Sequence, residues 1–160
     1  MYRRILVPLD GSVLAEAALP HAISIARCSG SSITLLEVAT PITVATAIDP
    51  LTTTAAEATL ALESIDAAEQ TAIDYLAGVA RRPEFEGIPV QTEVVRGTAA
   101  PEIIRRAHAG DVDLIAMSTH GRTGLGRLVF GSVADQVLRE AGLPILLIRP
   151  SRKEEPAKEK

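Results

Sequence analysis

The segment from Ser118 to Ser132 contains the residue types that bind phosphate. It holds four glycines, two arginines and several hydroxyls, and no carboxylate occurs from Ser118 through Ala134. Glycines let backbone N–H groups approach an anion without an intervening Cβ. Gly131 and Ser132 stand where a helix is predicted to begin, and the free N–H groups of a helix start favour an anion. The segment therefore predicts a phosphate-binding loop, with a surface loop and an ordinary serine cap as the alternative.

Asp10 is a second candidate for contact with a ligand. It follows the apolar run Arg4–Leu9 and begins the sequence Asp10-Gly11-Ser12, which is typical of a turn. A carboxylate at this place can accept hydrogen bonds from ribose hydroxyls or from an amine. The same carboxylate can instead serve only the turn, so both roles stay open at the level of the sequence.

Several other kinds of site are excluded by the residues themselves. No segment matches the P-loop signature, and no Gly-x-Gly-x-x-Gly follows the first strand. His120 has no acid or nucleophile at a fixed spacing, and His21 and His108 have no partner at metal-ligand spacing. We therefore expect no catalytic residue and no metal site built from histidine.

The amino-acid composition excludes further classes of function. The chain has 160 residues, of which 47% are hydrophobic and 2% aromatic, and its formal net charge is -4. The scarcity of aromatic rings and the lack of excess positive charge argue against the usual surfaces for nucleic acid. The single cysteine forms no internal disulfide, and no apolar run has the length of a membrane span or the layout of a secretory leader. We expect a cytoplasmic protein that contacts neither nucleic acid nor membrane.

The spacing of apolar residues predicts alternating strands and helices. The predicted strands are Arg4–Leu9, Ile33–Val38, Val90–Val95, Leu114–Met117 and Ile145–Ile148. The predicted helices are 13–28, 55–80, 98–109 and 132–141, and 39–54 is predicted as a loop. Four strands are nearly continuous apolar runs, which is typical of a parallel sheet covered on both faces. In such an open doubly wound sheet ligands bind at the carboxyl ends of the strands, here loops 8–12, 38–42 and 118–132.

Individual helix positions give narrower expectations. In the helix over 13–28, the spacing predicts a core-facing stripe that includes His21 and the small hydrophobe Cys28. Thr98 and Ser132 are predicted to cap the two helices that follow them.

Three segments together resemble the universal stress protein family. They are Arg4-Ile5-Leu6-Val7-Pro8-Leu9-Asp10-Gly11-Ser12, then Met117-Ser118-Thr119-His120-Gly121-Arg122 with Gly131-Ser132-Val133-Ala134, and finally Leu143-Pro144-Ile145-Leu146-Leu147-Ile148-Arg149-Pro150. The family's nucleotide motif is Gly, two residues, Gly, nine residues, Gly and then Ser or Thr. Gly121, Gly131 and Ser132 match this motif, whereas Ser118 stands at the first glycine position. A serine fits there if only a small side chain is needed, and it is strained if the position needs a positive φ.

The resemblance covers residues 2–150 and implies an ATP-binding subclass, in which Mg2+ or Mn2+ accompanies the nucleotide. It implies a Rossmann-like five-stranded parallel sheet in the order 3-2-1-4-5, the adenine-nucleotide alpha hydrolase-like fold. The family's motif transfers to these site residues of the chain: Pro8, Asp10, Val38, Met117, Ser118, Gly121, Arg122, Gly131, Ser132 and Val133. Asp10 and Val38 are expected at the nucleoside, and the residues from Gly131 to Val133 at the phosphates.

The function implied is that of an ATP-binding regulatory protein of the stress response. No residue supplies a general base over a γ-phosphate, so ATP hydrolysis is expected to be slow at most. The alternative is a nucleotide-free dimerisation or interaction module of the same fold. The resemblance also implies a homodimer joined through the last strand, residues 143–149. We expect one domain over 1–150 and a charged, disordered tail over 151–160.

Overall fold

The computed structural model describes residues 2–39, 55–119 and 131–149, and it describes no side chain from 55 to 64. The predicted loop beyond Ala39 and the charged tail 151–160 lie outside these ranges. The division into a domain over 1–150 and a tail stays a prediction.

Strands and helices alternate along the chain largely as the sequence predicts. The strands are β1 Arg4–Leu9, β2 Ser32–Ala39, β3 Val90–Arg96, β4 Leu114–Ser118 and β5 Ile145–Ile148. The helices are α1 Val13–Glu16, α2 Leu19–Ser29, α3 Ala55–Ala80, α4 Ala99–Ala109 and α5 Ser132–Glu140, with a 3-10 turn over Pro83–Phe85. None of the described helices combines the length and the apolar character that a membrane span needs.

The five strands form one parallel sheet in the order β3-β2-β1-β4-β5. This confirms the predicted doubly wound fold and its strand order. β1 is the central strand, with Val7 opposite Leu35 of β2 and Leu6 opposite Ile115 of β4. The strand order reverses between β1 and β4, which places the topological switch point at their carboxyl ends.

Helices cover both faces of the sheet and create two apolar cores. Helices α1, α2 and α3 pack on the face that carries Ile5 and Val7 of β1. Helices α4 and α5 pack on the opposite face, which carries Leu6 of β1 and Ile115 of β4. Successive residues of β1 thus alternate between the two cores, and nearly all of the strand is buried.

The predicted helix over 13–28 is two helices, because Pro20 interrupts it. A proline has no N–H to donate to the carbonyl four residues earlier, here that of Glu16. The chain tightens instead, and the N–H groups of Ala17 and Ala18 donate to carbonyls only three residues back. Pro20 then lies in the first turn of α2, where its missing donor is tolerated.

The predicted core-facing stripe of this segment is also wrong in part. His21 and Cys28 are exposed, whereas the buried positions of α2 are Leu19, Ala22, Ile23 and Ala26. The small alanine side chains let the helix approach the sheet closely, but they contribute little to an apolar pattern in the sequence. The true face is therefore rotated from the one that the larger residues suggest.

The predicted threonine cap has the predicted position, and the predicted serine cap is wrong by one residue. Thr98 does occupy the N-cap position of α4, but its hydroxyl makes no capping hydrogen bond. At α5 the N-cap is Gly131, and Ser132 is already the first helical residue. Gly131 is extended, with φ -50° and ψ 148°, so the cap position falls on the glycine and not on the predicted serine.

Candidate functional site

A cavity of about 260 Å³ lies at the carboxyl ends of β1, β2 and β4, next to the switch point of the sheet. The residues around it come from these strand ends and from the amino-terminal parts of α1, α4 and α5. The strand ends contribute Pro8, Leu9, Asp10, Val38, Met117, Ser118 and Thr119. The helices contribute Ala15, Ala99, Ile103 and the helix start Gly131, Ser132, Val133 and Ala134.

One carboxylate oxygen of Asp10 accepts hydrogen bonds within the turn, and the other does not. Its Oδ1 accepts hydrogen bonds from the N–H of Ser12 at 3.0 Å and from the Ser12 hydroxyl at 2.6 Å. Gly11 between them has φ +74°, a conformation that favours glycine. Within the described ranges, Oδ2 of Asp10 has no hydrogen-bond partner. Both roles left open by the sequence are therefore compatible in one side chain.

The start of α5 presents backbone donors to the cavity. The first three helical N–H groups, from Ser132 to Ala134, have no acceptor within their own helix, and the N-cap residue Gly131 has no side chain to cap them. All three residues line the cavity. No lysine or arginine lines it in the part of the chain that the structure describes, so the helix start is the positive end available there.

The two ends of the segment between β4 and α5 are joined directly. The N–H of Gly131 donates to the carbonyl of Thr119 at 3.0 Å, and the N–H of Thr119 donates to the carbonyl of Ile148 in β5 at 2.9 Å. Thr119 is itself buried, with 7% of its surface exposed. These bonds fix the start of α5 against the ends of β4 and β5, so the donors of α5 have a defined position relative to the sheet.

Ser118 is compatible with its place in the glycine motif. It is the last residue of β4, paired in register with Ile148 of β5. Among the described residues, Asp111 is the only one other than glycine with a positive φ. Ser118 therefore has no left-handed backbone strain, and a small side chain satisfies the position.

An apolar surface lines the rest of the cavity. Met117 is 5% exposed and Ile103 is 3% exposed, and Val38 is half-buried beside the core that they share. Ala99 and Ile103 were not predicted from the sequence. The signal that could have found them is Gly97-Thr98 after β3, because this turn also lies at a carboxyl end of the sheet and begins α4.

The structure brings together every predicted site residue that it describes. These eight residues, Pro8, Asp10, Val38, Met117, Ser118, Gly131, Ser132 and Val133, all line the one cavity. Gly121 and Arg122 lie outside the described residues. Ligand contact by each of these residues stays a prediction. No group of three or more His, Cys, Asp or Glu side chains that could hold a metal occurs in the described ranges.

Fold and site together define a doubly wound α/β protein with a cavity at its switch point. A sequence model of the universal stress protein family matches residues 1–149. The chain therefore belongs to the universal stress protein family, as the resemblance in its sequence predicts.

Individual relatives extend this finding. Universal stress protein MJ0531 of Methanocaldococcus jannaschii is 32% identical over 154 residues, which are 96% of this chain and 86% of that protein. Among solved structures, protein MJ0577 of the same organism superimposes with a TM-score of 0.80 at 26% identity, over 95% of this chain and 99% of that one. Universal stress protein UspA from Lactobacillus plantarum gives a TM-score of 0.76 at 26% identity, over 92% and 98% of the two chains.

Proposed function

We propose that this protein binds an adenine nucleotide, preferably ATP, in the cavity at the carboxyl ends of β1, β2 and β4. The observation that carries the proposal is the division of this cavity into an apolar part, a carboxylate with an available oxygen and a helix start with free N–H groups. These three parts match the base, the ribose and the phosphates of a nucleotide.

Each part of the nucleotide has a partner of suitable chemistry. The base packs against the apolar surface of Val38, Ile103 and Met117, and Oδ2 of Asp10 accepts from a ribose hydroxyl. The phosphates take the N–H groups at the start of α5. Gly121 and Arg122 add backbone donors and a charge at the phosphates, as the family's motif implies.

Mg2+ or Mn2+ enters with the nucleotide in this proposal. Divalent metal ions of this kind are commonly held by one or two carboxylates and by the phosphates of the substrate. Asp10 is the one carboxylate among the described residues that line the cavity, so the phosphates supply most of the ligands of the metal ion. The protein is then a cytoplasmic binding protein of the stress response, with hydrolysis that is slow at most because the sequence offers no general base for it.

Two more distant structures of the same fold contain nucleotides. One is a universal stress protein in complex with cAMP, at 19% identity, and another is a family protein from Arabidopsis thaliana with AMP bound, at 16% identity. At these identities the likeness establishes the fold alone. The proposal for this chain therefore depends on its own cavity.

Isothermal titration calorimetry tests the proposal. ATP, ADP, AMP, cAMP and GTP are titrated separately with and without Mg2+, and mass spectrometry identifies any ligand released from the freshly purified protein. We expect heat and a raised Tm with ATP, and weaker binding of GTP. If none of these compounds gives heat or a shift in Tm, the nucleotide proposal is wrong and the nucleotide-free interaction module takes its place.

We also propose that the protein is a homodimer joined through β5. β5 is the last strand of the sheet, and within the described residues its only strand neighbour is β4. The carbonyls of Pro144 and Ile148 accept from β4, so the backbone groups of Ile145 and Leu147 point to the open edge. An apolar open edge is an aggregation hazard, which pairing with a second β5 removes.

Light scattering at micromolar concentration tests the dimer. We expect a dimer mass for the wild type and a monomer mass for Leu147→Lys. Ile73→Lys is the matched control, because Ile73 is an exposed hydrophobic residue on α3, far from β5 in the sheet order. If Leu147→Lys does not fold, Leu147→Pro removes an outward N–H without breaking a bond to β4. A monomeric wild type contradicts the dimer, whatever the result with nucleotides.

A further inference from the structure

A cluster of three side chains outside the cavity joins α1 to α3 and to the turn that follows α3. The carboxylate of Glu16 on α1 accepts hydrogen bonds from both terminal nitrogens of Arg82, at 2.7 and 2.8 Å, and from the hydroxyl of Tyr75 at 2.9 Å. The Glu16 side chain is 22% exposed and that of Arg82 is 35% exposed. Partial burial and the bidentate geometry make this stronger than an ordinary surface ion pair.

Helix α1 needs such an anchor because it has little other support. It is four residues long, and a helix of one turn does not hold its own conformation. Its one buried residue is Ala15, and Val13 is 66% exposed. Helix α3, by contrast, buries Leu76 and Val79 almost completely in the core. The cluster therefore attaches a weakly packed helix to a firmly packed one.

The start of α1 leads directly to the predicted nucleoside contact. The Ser12 hydroxyl accepts from the N–H of Ala15 at 3.1 Å and donates to Oδ1 of Asp10 at 2.6 Å. The N–H of Glu16 also donates to the carbonyl of Ser12 at 3.2 Å. A continuous set of hydrogen bonds thus runs from Arg82 and Tyr75 through Glu16 and Ser12 to Asp10. Glu16, Tyr75 and Arg82 themselves do not line the cavity.

We propose that Glu16, held by Arg82 and Tyr75, is a positioning residue that fixes the Asp10 turn and so sets the affinity of the nucleotide site from outside the cavity. The part that concerns affinity rests on the proposed nucleotide binding, and the part that concerns the turn does not. Loss of the Glu16 charge weakens the attachment of α1 to Tyr75 and Arg82, and Asp10 then samples orientations that do not reach the ligand.

Amide hydrogen exchange tests the positioning without any ligand. We expect Glu16→Gln to accelerate exchange at the N–H groups of Ser12 and Ala15, while the core strands keep their protection. Tyr75→Phe removes one of the three hydrogen bonds and keeps the ring, so we expect the same change to a smaller extent. Tyr75→Phe also serves if Glu16→Gln does not fold. Unchanged exchange at Ser12 and Ala15 in both variants would refute the positioning role.

Glu93→Gln is the matched control. Glu93 pairs with Arg106 between β3 and α4, and the two side chains are 32% and 22% exposed, close to the values for Glu16 and Arg82. We expect a similar loss of stability in this variant, with unchanged exchange at Ser12 and unchanged nucleotide affinity. Faster exchange at Ser12 in Glu93→Gln would show a general loosening of the fold and contradict a specific role for Glu16.

Nucleotide titration then tests the coupling to the site. We expect Glu16→Gln to weaken ATP binding about fivefold, the lower end of typical coupling between two sites. In an Asp10→Asn background we expect the same change to have no further effect, because the positioned group is gone. An equal loss in both backgrounds contradicts action through Asp10. If the wild type binds no nucleotide but Glu16→Gln still accelerates exchange at Ser12, the proposed function fails and the positioning of the turn stands.

Discussion

Asp10 and Asp113 lie at opposite ends of the sheet. Both carboxylates accept hydrogen bonds from the chain, but Asp113 does so with both oxygens and Asp10 with one. At the amino ends of the strands, Oδ2 of Asp113 accepts from the N–H of Arg3 at 2.8 Å and Oδ1 accepts from that of Arg4 at 3.1 Å. At the carboxyl ends, Asp10 commits only Oδ1, to Ser12, and its Oδ2 has no partner among the described residues. One carboxylate is fully used by the chain, and the other keeps an acceptor beside a cavity.

The groups around the two aspartates follow the same division. At the amino end, the Ser31 hydroxyl donates to the carbonyl of Tyr2 at 2.7 Å, and the Arg4 guanidinium donates to the carbonyl of Gly110 at 2.9 Å. At the carboxyl end, α4 and α5 begin at the cavity, and their N-cap residues Thr98 and Gly131 make no side-chain capping hydrogen bond. At the amino end these polar groups are paired within the chain and hold the fold together, whereas Oδ2 of Asp10 and the first N–H groups of α5 have no partner among the described residues.

The largest expected effect comes from a side chain placed at the start of α5. Gly131→Val keeps an allowed backbone, since φ is -50° and ψ is 148°, but its Cβ and methyl groups stand where a phosphate would approach. We expect ATP affinity to fall about a hundredfold, because two or more hydrogen bonds to a charged group are lost. Calorimetry measures the affinity, and an unchanged Tm shows that the fold is intact.

Arg122→Ala is the comparison for this variant. A single charge pair that water screens contributes at most about 1 kcal/mol, so we expect a loss of about fivefold. A larger loss in Arg122→Ala than in Gly131→Val would mean that charge, and not backbone geometry, dominates the carboxyl end. The contrast between the two ends of the sheet would then need a different cause.

Substitution of each aspartate is expected to have an intermediate effect, on ATP binding for Asp10 and on stability for Asp113. Asp10→Asn keeps the Oδ1 acceptor for Ser12 and loses the second acceptor, so we expect about tenfold weaker ATP binding and little change in stability. Asp113→Asn leaves one backbone N–H without its acceptor, so we expect about 1 kcal/mol less stability and unchanged binding. Denaturant unfolding and calorimetry on both variants check this. Equal effects of the two changes on binding would abolish the distinction between the ends.

The sequence predicts the sheet well because most of its strands are short apolar runs that can be recognised from their own residues. β1 and β5 have the predicted bounds, since apolar runs such as Ile145–Ile148 end at turn residues. The eight predicted site residues that the structure describes meet at one cavity because the carboxyl ends of parallel strands necessarily share an edge. Topology thus converts distant sequence positions into one site.

The sequence fails where the outcome depends on tertiary packing. The buried alanines of α2 reflect how closely this helix packs on the sheet, and alanine gives no pattern that announces it. Likewise, the partners of Glu16 are separated from it by 59 and 66 positions along the chain. Nothing in the local sequence around Glu16 indicates that Tyr75 and Arg82 meet it. The break at Pro20, by contrast, has a local cause in the missing N–H of proline, which the predicted helix over 13–28 does not take into account.

The smallest expected effect is the pH dependence of stability that Glu16 contributes. The hydrogen bonds from Arg82 hold the pKa of Glu16 below its usual value, and that from Tyr75 adds to this against the opposing effect of burial. Burial and the bond to Glu16 raise the pKa of Tyr75, so the tyrosine stays protonated at neutral and acidic pH.

A carboxylate whose pKa is lower in the folded state stabilises the fold at neutral pH and loses that contribution as the pH falls through its folded pKa. The wild type should therefore lose more stability than Glu16→Gln between pH 7 and pH 3, by less than about 1 kcal/mol because water partly screens the pair. The other charged groups acting on the cluster are Glu37 and Glu84. Tyr75→Phe should keep most of the difference, since Arg82 is the larger cause. If the free energy of unfolding depends on pH in the same way for the wild type and Glu16→Gln, the charge of Glu16 does not stabilise the fold. Helix α1 is then held by packing alone.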